Sequence, residues 1–231
     1  VRIGSSAVVA IARASLVARG NLGATGVYVG RYSSLDLTDS VIESSAARNA
    51  AGLSATDHGA ISVSRVRIDV SSSSSTSYDS ARGIYTYSYW YGYNNAISID
   101  DVTIEAATTG ASSYGVMLTG YKVINGSAVL SNVHAAARGG RSTMGIMLQG
   151  PYTVTMNGVT AMGVDGLYNY GMAGSSYGYG EYSVEAMNSA FSGLTAAVNN
   201  AASGYLDSMS IAHTKVDGPL VKSGDGLVKC L

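Results

Sequence analysis

The chain has 231 residues, of which 13% are charged and 46% are hydrophobic, and its formal net charge is −1. The hydrophobic fraction is enough for a packed core, so the low charge does not indicate a disordered chain. The sequence has no stripe of basic residues and no run of 18 apolar residues, which argues against nucleic acid as a partner and against a membrane span. Gly, Ser and β-branched residues dominate, so we expect strands rather than long helices.

One eight-residue pattern occurs eight times along the chain. Each copy alternates apolar and other residues, has two turn-prone residues at its centre, and then alternates again, which predicts two short strands joined by a bend. The copies, which begin 26, 26, 36, 31, 26, 30 and 25 residues apart, are Val9–Leu16, Leu35–Ile42, Ile61–Ile68, Ile97–Ile104, Ala128–Ala135, Val154–Ala161, Val184–Phe191 and Met209–Val216. Repetition at this length is typical of a solenoid, in which successive coils stack and the longer connections project outwards.

Two positions of the pattern predict columns that run along the solenoid. The last residue of each copy predicts an inward apolar column of Leu16, Ile42, Ile68, Ile104, Ala135, Ala161, Phe191 and Val216. The bend carries Arg13, Asp39, Arg65, Asp101, Asn132, Gly158, Asn188 and His213. We interpret the bend column as structural, because opposite charges alternate in its first four copies and Asn and Gly tolerate tight corners.

A second repeated piece precedes most copies and begins with a glycine. These glycines are Gly26, Gly52, Gly83, Gly115, Gly145 and, in a weaker copy, Gly171. Each fits a corner that requires either a positive φ or a close approach of the backbone. We therefore expect a single all-β domain over residues 1–231, a parallel solenoid of about eight coils with about three short strands per coil and a loop insertion over 71–95.

With these glycine corners and the split template, the chain resembles the right-handed parallel β-helix proteins of the pectin-lyase-like superfamily. Its last stretch, from Ile211 to Cys230, resembles the ends of repetitive bacterial surface and secreted β-helix proteins. The resemblance implies a right-handed helix and an extracellular, bacterial cell-surface location. Polysaccharide lyases of this superfamily use a Ca²⁺-binding Asp cluster and a basic proton acceptor, and the match here is too limited to assign an active site.

The position after the apolar column places three carboxylates in consecutive coils, at Glu43, Asp69 and Glu105. Equivalent positions in neighbouring coils are about 4.8 Å apart. Three interpretations remain open: a solvated acidic edge partly neutralised by Arg67, a Ca²⁺ site, or a catalytic carboxylate pair of a glycoside hydrolase or lyase.

Aromatic residues are concentrated in the segment predicted as a loop. They are Tyr85, Tyr87, Tyr89, Trp90, Tyr91 and Tyr93. Exposed Tyr and Trp side chains stack on sugars or fill the centre of a protein interface, and the alternative is that they pack under the loop.

A further column, at the middle of the corner strands, reads Tyr28, Ser54, Tyr85, Met117, Met147 and Ala173. A solvated column would be polar, so this face is covered either by the chain's own loops or by a second copy, and Tyr28, Met117 and Met147 are the candidate self-association residues. Solenoid ends without an evident cap also predict end-to-end association, or a chain that continues.

These features favour an extracellular structural or adhesive β-solenoid that self-assembles end to end into a fibre or surface filament, without a convincing catalytic group. The alternative is a carbohydrate-active enzyme, or a glycan-binding module of the tail-fibre or adhesin type, that uses the carboxylates and the aromatic segment. Apart from Ca²⁺ at Glu43, Asp69 and Glu105, the sequence predicts no cofactor.

Overall fold

The computed structural model describes residues 1–73, 76, 79–89, 96–121, 126–175, 181–201, 207–224 and 227–231. The chain is all-β, and every pair of adjacent strands is parallel. None of the described residues belongs to a helix that is long and apolar enough to cross a membrane.

The described part of the chain contains 22 strands. They are β1 (Arg2–Ile3), β2 (Val8–Ala12), β3 (Ser15–Gly20), β4 (Gly23–Val29), β5 (Ser34–Ala46), β6 (Asn49–Thr56), β7 (Ile61–Ser72), β8 (Ser80–Ser88), β9 (Ala96–Thr108), β10 (Ser112–Gly120), β11 (Gly126–Arg138), β12 (Ser142–Gln149), β13 (Tyr152–Asn157), β14 (Thr160–Val164), β15 (Tyr168–Ser175), β16 (Ser183–Met187), β17 (Ala190–Gly193), β18 (Ala196–Ala201), β19 (Ser208–Ala212), β20 (Lys215–Asp217), β21 (Leu220–Ser223) and β22 (Leu227–Cys230).

These strands form two sheets that run side by side along the molecule. Sheet A has the order β1-β4-β6-β8-β10-β12-β15-β18-β21. Sheet B has the order β2-β5-β7-β9-β11-β13-β16-β19-β22. Its four other strands lie beyond the bend: β3 pairs with β5, β14 with β11 and β17, and β20 with β17. In both sheets each strand pairs with the equivalent strand of the next repeat, which is the stacking expected of a β-solenoid.

The predicted apolar column forms the spine of the core. Its eight residues pair in register through the stack, from Leu16 with Ile42 at one end to Phe191 with Val216 at the other. The six inner members are fully buried, and the two end members are partly buried. The alternation of the template therefore predicted this part of the core correctly.

The bend column is also confirmed, and it has a specific backbone conformation. All eight bend residues, including Arg13 and Arg65, have φ between +47° and +67°. Arg65 Nε and Nη2 donate to the Asp39 carboxylate at 2.6 and 3.0 Å, and this contact lowers the pKa of Asp39. In β5, β7, β9 and β11 the strand extends across the bend and only the bend residue is unpaired in the register, so there the two predicted short strands are one longer strand.

The corner glycines are needed for close approach, because none of the six has a positive φ. A Cβ on Gly83 would lie 2.1 Å from Ile104 Cγ2 and 2.4 Å from the carbonyl oxygen of Gly115. Equivalent short distances occur at the other five corner glycines. The six glycines therefore let sheet A pack directly against the apolar column of sheet B.

The segment 71–95 differs from the predicted loop. Residues 71–72 end β7 and residues 80–88 form β8, which pairs with both β6 and β10. The glycine corner at Gly83 and the alternation after it explain this, because they specify a strand in register with its neighbours. Tyr85 and Tyr87 therefore belong to sheet A and not to a loop.

Candidate functional site

The outer surfaces of the two sheets differ in chemistry. Within the described strands, sheet A contains three charged residues, all cationic: Arg2, Arg82 and Lys222. Sheet B contains nine carboxylates and six cationic residues, a formal charge of −3. The only aromatic rings of Phe, Tyr or Trp in the strands of sheet B are Tyr152 and Phe191, and both are buried. Sheet A is thus an aromatic, weakly cationic face, and sheet B is an acidic one.

The predicted Tyr/Met column lies on sheet A in register. Tyr28 pairs with Ser54, Tyr85 pairs with Met117, and Met117 pairs with Met147. The Tyr and Met side chains in this column are half-buried. The described part of the chain therefore leaves a share of each side chain open to solvent, although cover by the chain's own loops was one of the expectations.

A second column beside it was missed by the sequence reasoning. The residues immediately before three of the corner glycines are Tyr114, Met144 and Tyr170, which pair in register and are half-buried. The signal in the sequence was a large side chain directly before the glycine in three successive copies. We use "Tyr/Met face" for the two neighbouring columns that six side chains form on β8, β10, β12 and β15: Tyr85, Tyr114, Met117, Met144, Met147 and Tyr170.

Arg82 lies at the edge of the Tyr/Met face. It pairs in register with Ala51 on one side and Tyr114 on the other. Its guanidinium carbon is 4.6 Å from the centre of the Tyr85 ring, a cation–π contact. Burial raises the pKa of the Tyr85 hydroxyl, and the charge of Arg82 opposes that shift.

The other predicted aromatic residues extend from this face. Tyr87 is half-buried on β8, and its ring centre is 6.3 Å from that of Tyr89. Tyr89 in turn stacks on Tyr121, with ring centres 4.9 Å apart. The predicted binding residues Trp90, Tyr91 and Tyr93 lie outside the described residues.

The three predicted carboxylates are neighbours on the outer surface of sheet B. Glu43 pairs in register with Asp69, and Asp69 with Glu105. Arg67 Nε donates to Asp69 at 2.8 Å, and Arg138 Nε to Glu105 at 3.3 Å. Glu43 is exposed and has no ion pair within 4.0 Å among the described residues. The solvated acidic edge is therefore limited to Glu43, because guanidinium groups pair with Asp69 and Glu105.

A groove of about 330 Å³ runs beside the carboxylates and is also lined by Arg19, Ser45 and Ser71. Its lining combines carboxylate, guanidinium and hydroxyl groups with the apolar side chains of Val17 and Val70. No group of three or more His, Cys, Asp or Glu side chains in the described ranges is arranged to hold a metal ion. The roles of Glu43, Asp69 and Glu105 in catalysis or Ca²⁺ binding stay predictions.

One histidine lies near this groove. His134 Nε2 is 3.9 Å from Glu105 Oε1, on the strand that follows Glu105 in sheet B. The predicted columns did not suggest this pair, because His134 is in register with Thr103 and Glu105 with Ala136.

Comparison of the chain with protein-family models, with curated proteins and with solved structures gives no match.

Proposed function

We propose that the chain is a structural or adhesive β-solenoid that associates with further copies of itself, with the Tyr/Met face of sheet A as one contact surface. The observation that carries this proposal is the composition of the face. Protein interfaces are enriched in aromatic residues, Met and Arg and depleted in Asp, Glu and Lys. The strands β8, β10, β12 and β15 contain no Asp, Glu or Lys.

The size of sheet A supports the same proposal. Nine strands about 4.8 Å apart span about 38 Å. With three outward positions per strand the face is about 20 Å wide, so its area is about 760 Å². A standard protein interface buries about 800 Å² on each partner. The sheet is therefore large enough for a specific contact if most of it is covered.

The handedness of the winding and the number of coils are part of this proposal. We take the winding to be right-handed, because parallel crossover connections are right-handed in nearly all known cases. About eight coils correspond to the eight copies of the template. An extracellular location stays part of the proposal and rests on the sequence resemblance alone.

Replacing Met117 and Met147 by glutamate is expected to abolish self-association. Two carboxylates at the centre of the contact would be desolvated without cationic partners, which costs several kcal/mol. Sedimentation velocity over a hundredfold concentration range measures the loss, and we expect the variant to remain a monomer where the wild type is oligomeric.

Leu22→Glu, Leu194→Glu is the matched control, since both leucines are exposed and lie outside the strands of either sheet. It introduces the same two charges and should leave association unchanged. A wild-type chain that is a monodisperse monomer at all concentrations would contradict the proposal. So would an oligomer that the Met117→Glu, Met147→Glu variant leaves intact.

The groove on sheet B favours a second candidate function, a carbohydrate-active protein. It places three carboxylates in consecutive register beside hydroxyl groups. If this candidate is correct, Asp69→Asn should abolish glycan cleavage, because the central carboxylate is lost without a change in size. Product analysis on anionic and neutral polysaccharides tests this, and the absence of any cleavage by the wild type would remove the candidate.

A further inference from the structure

We infer that self-association is front-to-back: sheet A of one copy contacts sheet B of the next, with Arg82 entering the acidic groove at Glu43. This inference rests on the proposed function and names the second surface of the contact. Its basis is the environment of Arg82 and the distribution of charge between the two sheets.

Among the described residues, Arg82 has no anionic partner. No carboxylate of the described residues lies within 4.0 Å of it, and its Nε is buried without a hydrogen-bond partner among them. The contact with the Tyr85 ring orients the guanidinium but accepts no in-plane hydrogen bond. A half-buried guanidinium is best satisfied by a carboxylate that meets its planar row of donors.

A face-to-face contact between two copies of sheet A would not provide that carboxylate. The strands of sheet A contain no Asp or Glu, and their three charged residues are all cationic. Two such faces would bring like charges together and leave Arg82 unpaired in a desolvated contact. The energetic cost of such a buried, unpaired charge argues against this symmetric arrangement.

Sheet B of a second copy provides the missing group. Its formal charge of −3 balances the +3 of sheet A. Within the groove, Asp69 and Glu105 are engaged by Arg67 and Arg138, whereas Glu43 is exposed and not ion-paired. Glu43 is thus the carboxylate that is available for an incoming guanidinium, and the groove has the volume for it.

This arrangement has a consequence for the shape of the assembly. A contact between two different surfaces of the same chain leaves one copy of each surface free at the ends of an open oligomer. Further copies therefore add at both ends and form a filament, unless the rotation between copies closes a ring. Wild-type protein should therefore show a ladder of dimers, trimers and larger species rather than a single dimer.

The experiment is a charge swap measured by sedimentation velocity and by imaging of negatively stained protein. Arg82→Glu and Glu43→Arg are each expected to weaken association at least about tenfold, because each places like charges across the contact. The double variant restores an opposite pair and should return association to within a few-fold of the wild type. Arg141→Glu is the matched control, because Arg141 is exposed between β11 and β12 and belongs to neither sheet, and the substitution makes the same change of charge as Arg82→Glu, so it should have little effect.

The outcomes distinguish the pairing of Arg82 with Glu43 from self-association itself. Rescue by the double variant supports the pairing of Arg82 with Glu43. Three outcomes would overturn the front-to-back arrangement and leave the proposed function standing. They are association that neither single variant weakens, a double variant that does not regain association, and wild-type protein that forms only closed dimers. A strictly monomeric wild type would instead refute the proposed function itself.

Thermal unfolding of every variant separates these outcomes from loss of the fold. If Arg82→Glu lowers the melting temperature markedly, Arg82→Gln takes its place. Glutamine removes the charge and keeps a polar side chain, and the inference then requires weaker association in Arg82→Gln with an unchanged melting temperature.

Discussion

Replacing Gly83 by alanine is expected to lower the free energy of unfolding by about 3 kcal/mol or more, which is the upper range for overpacking of a core. The added Cβ would lie 2.1 Å from Ile104 Cγ2 and 2.4 Å from the carbonyl oxygen of Gly115. The first neighbour is a fully buried side chain and the second is backbone, so neither can move without disturbing the next coil. Chemical denaturation followed by circular dichroism measures the change.

Gly4→Ala is the control, because a Cβ at Gly4 meets no heavy atom within 4 Å. It should change stability by only a few tenths of a kcal/mol, the usual range for an exposed substitution. Equal stability of Gly83→Ala and wild type would show that the corner glycines are not required for the close packing of the two sheets.

Acid is expected to destabilise the chain through His58. This residue lies between β6 and β7, is fully buried, and has its pKa lowered mainly by that burial. Nδ1 is 2.7 Å from the Gly59 carbonyl oxygen, so Nδ1 carries the proton of the neutral ring. Nε2 is buried and makes no hydrogen bond to the described residues. Protonation would therefore place a buried charge on Nε2, for which no described residue accepts a hydrogen bond.

The direction of the pH effect follows from the lowered pKa. An unfolded His58 takes up a proton near its ordinary pKa of about 6.5, whereas the folded protein resists protonation until a lower pH. The unfolded state therefore binds more protons in this window, and the stability present above about pH 6.5 is lost as the pH falls towards the folded pKa. Melting temperatures measured from about pH 8 to about pH 5 should fall across this window.

His58→Leu provides the comparison, since leucine has no titratable group. The other titratable groups are common to both chains and cancel in the difference between their profiles. We expect the difference to be constant above about pH 6.5 and to change below it. Parallel profiles over the whole range would mean that His58 is not held neutral in the folded protein.

The repeating part of the fold could be predicted from the sequence, because it depends on local alternation. The apolar column from Leu16 to Val216 and the bend column from Arg13 to His213 both follow from the period-two pattern and its central interruption. The same rule predicted that Glu43, Asp69 and Glu105 would be neighbours. Stacking with a constant register turns a sequence repeat directly into spatial columns, so no long-range information was needed.

Several features could not be predicted in this way. The sequence could not show whether the corner glycines provide a positive φ or a close approach. The answer depends on the distance between sheet A and the side chains of Ile104 and its equivalents. The partners of Asp69 and Glu105 depended on the directions of long arginine side chains. The second column of the Tyr/Met face was missed because the alternation breaks at each corner glycine: Tyr114 and Met117 are half-buried, and the two residues between them are both buried.

By itself, the sequence determined that this chain is an all-β stack of parallel strands, and which side chains share a column, since both follow from the period of the repeat. Only the tertiary structure showed that the outward aromatic side chains in the strands are confined to one sheet and the strand carboxylates to the other. That separation arises because each repeat contributes one strand to each sheet. Small biases at equivalent positions therefore add up, coil after coil, into two faces of different chemistry.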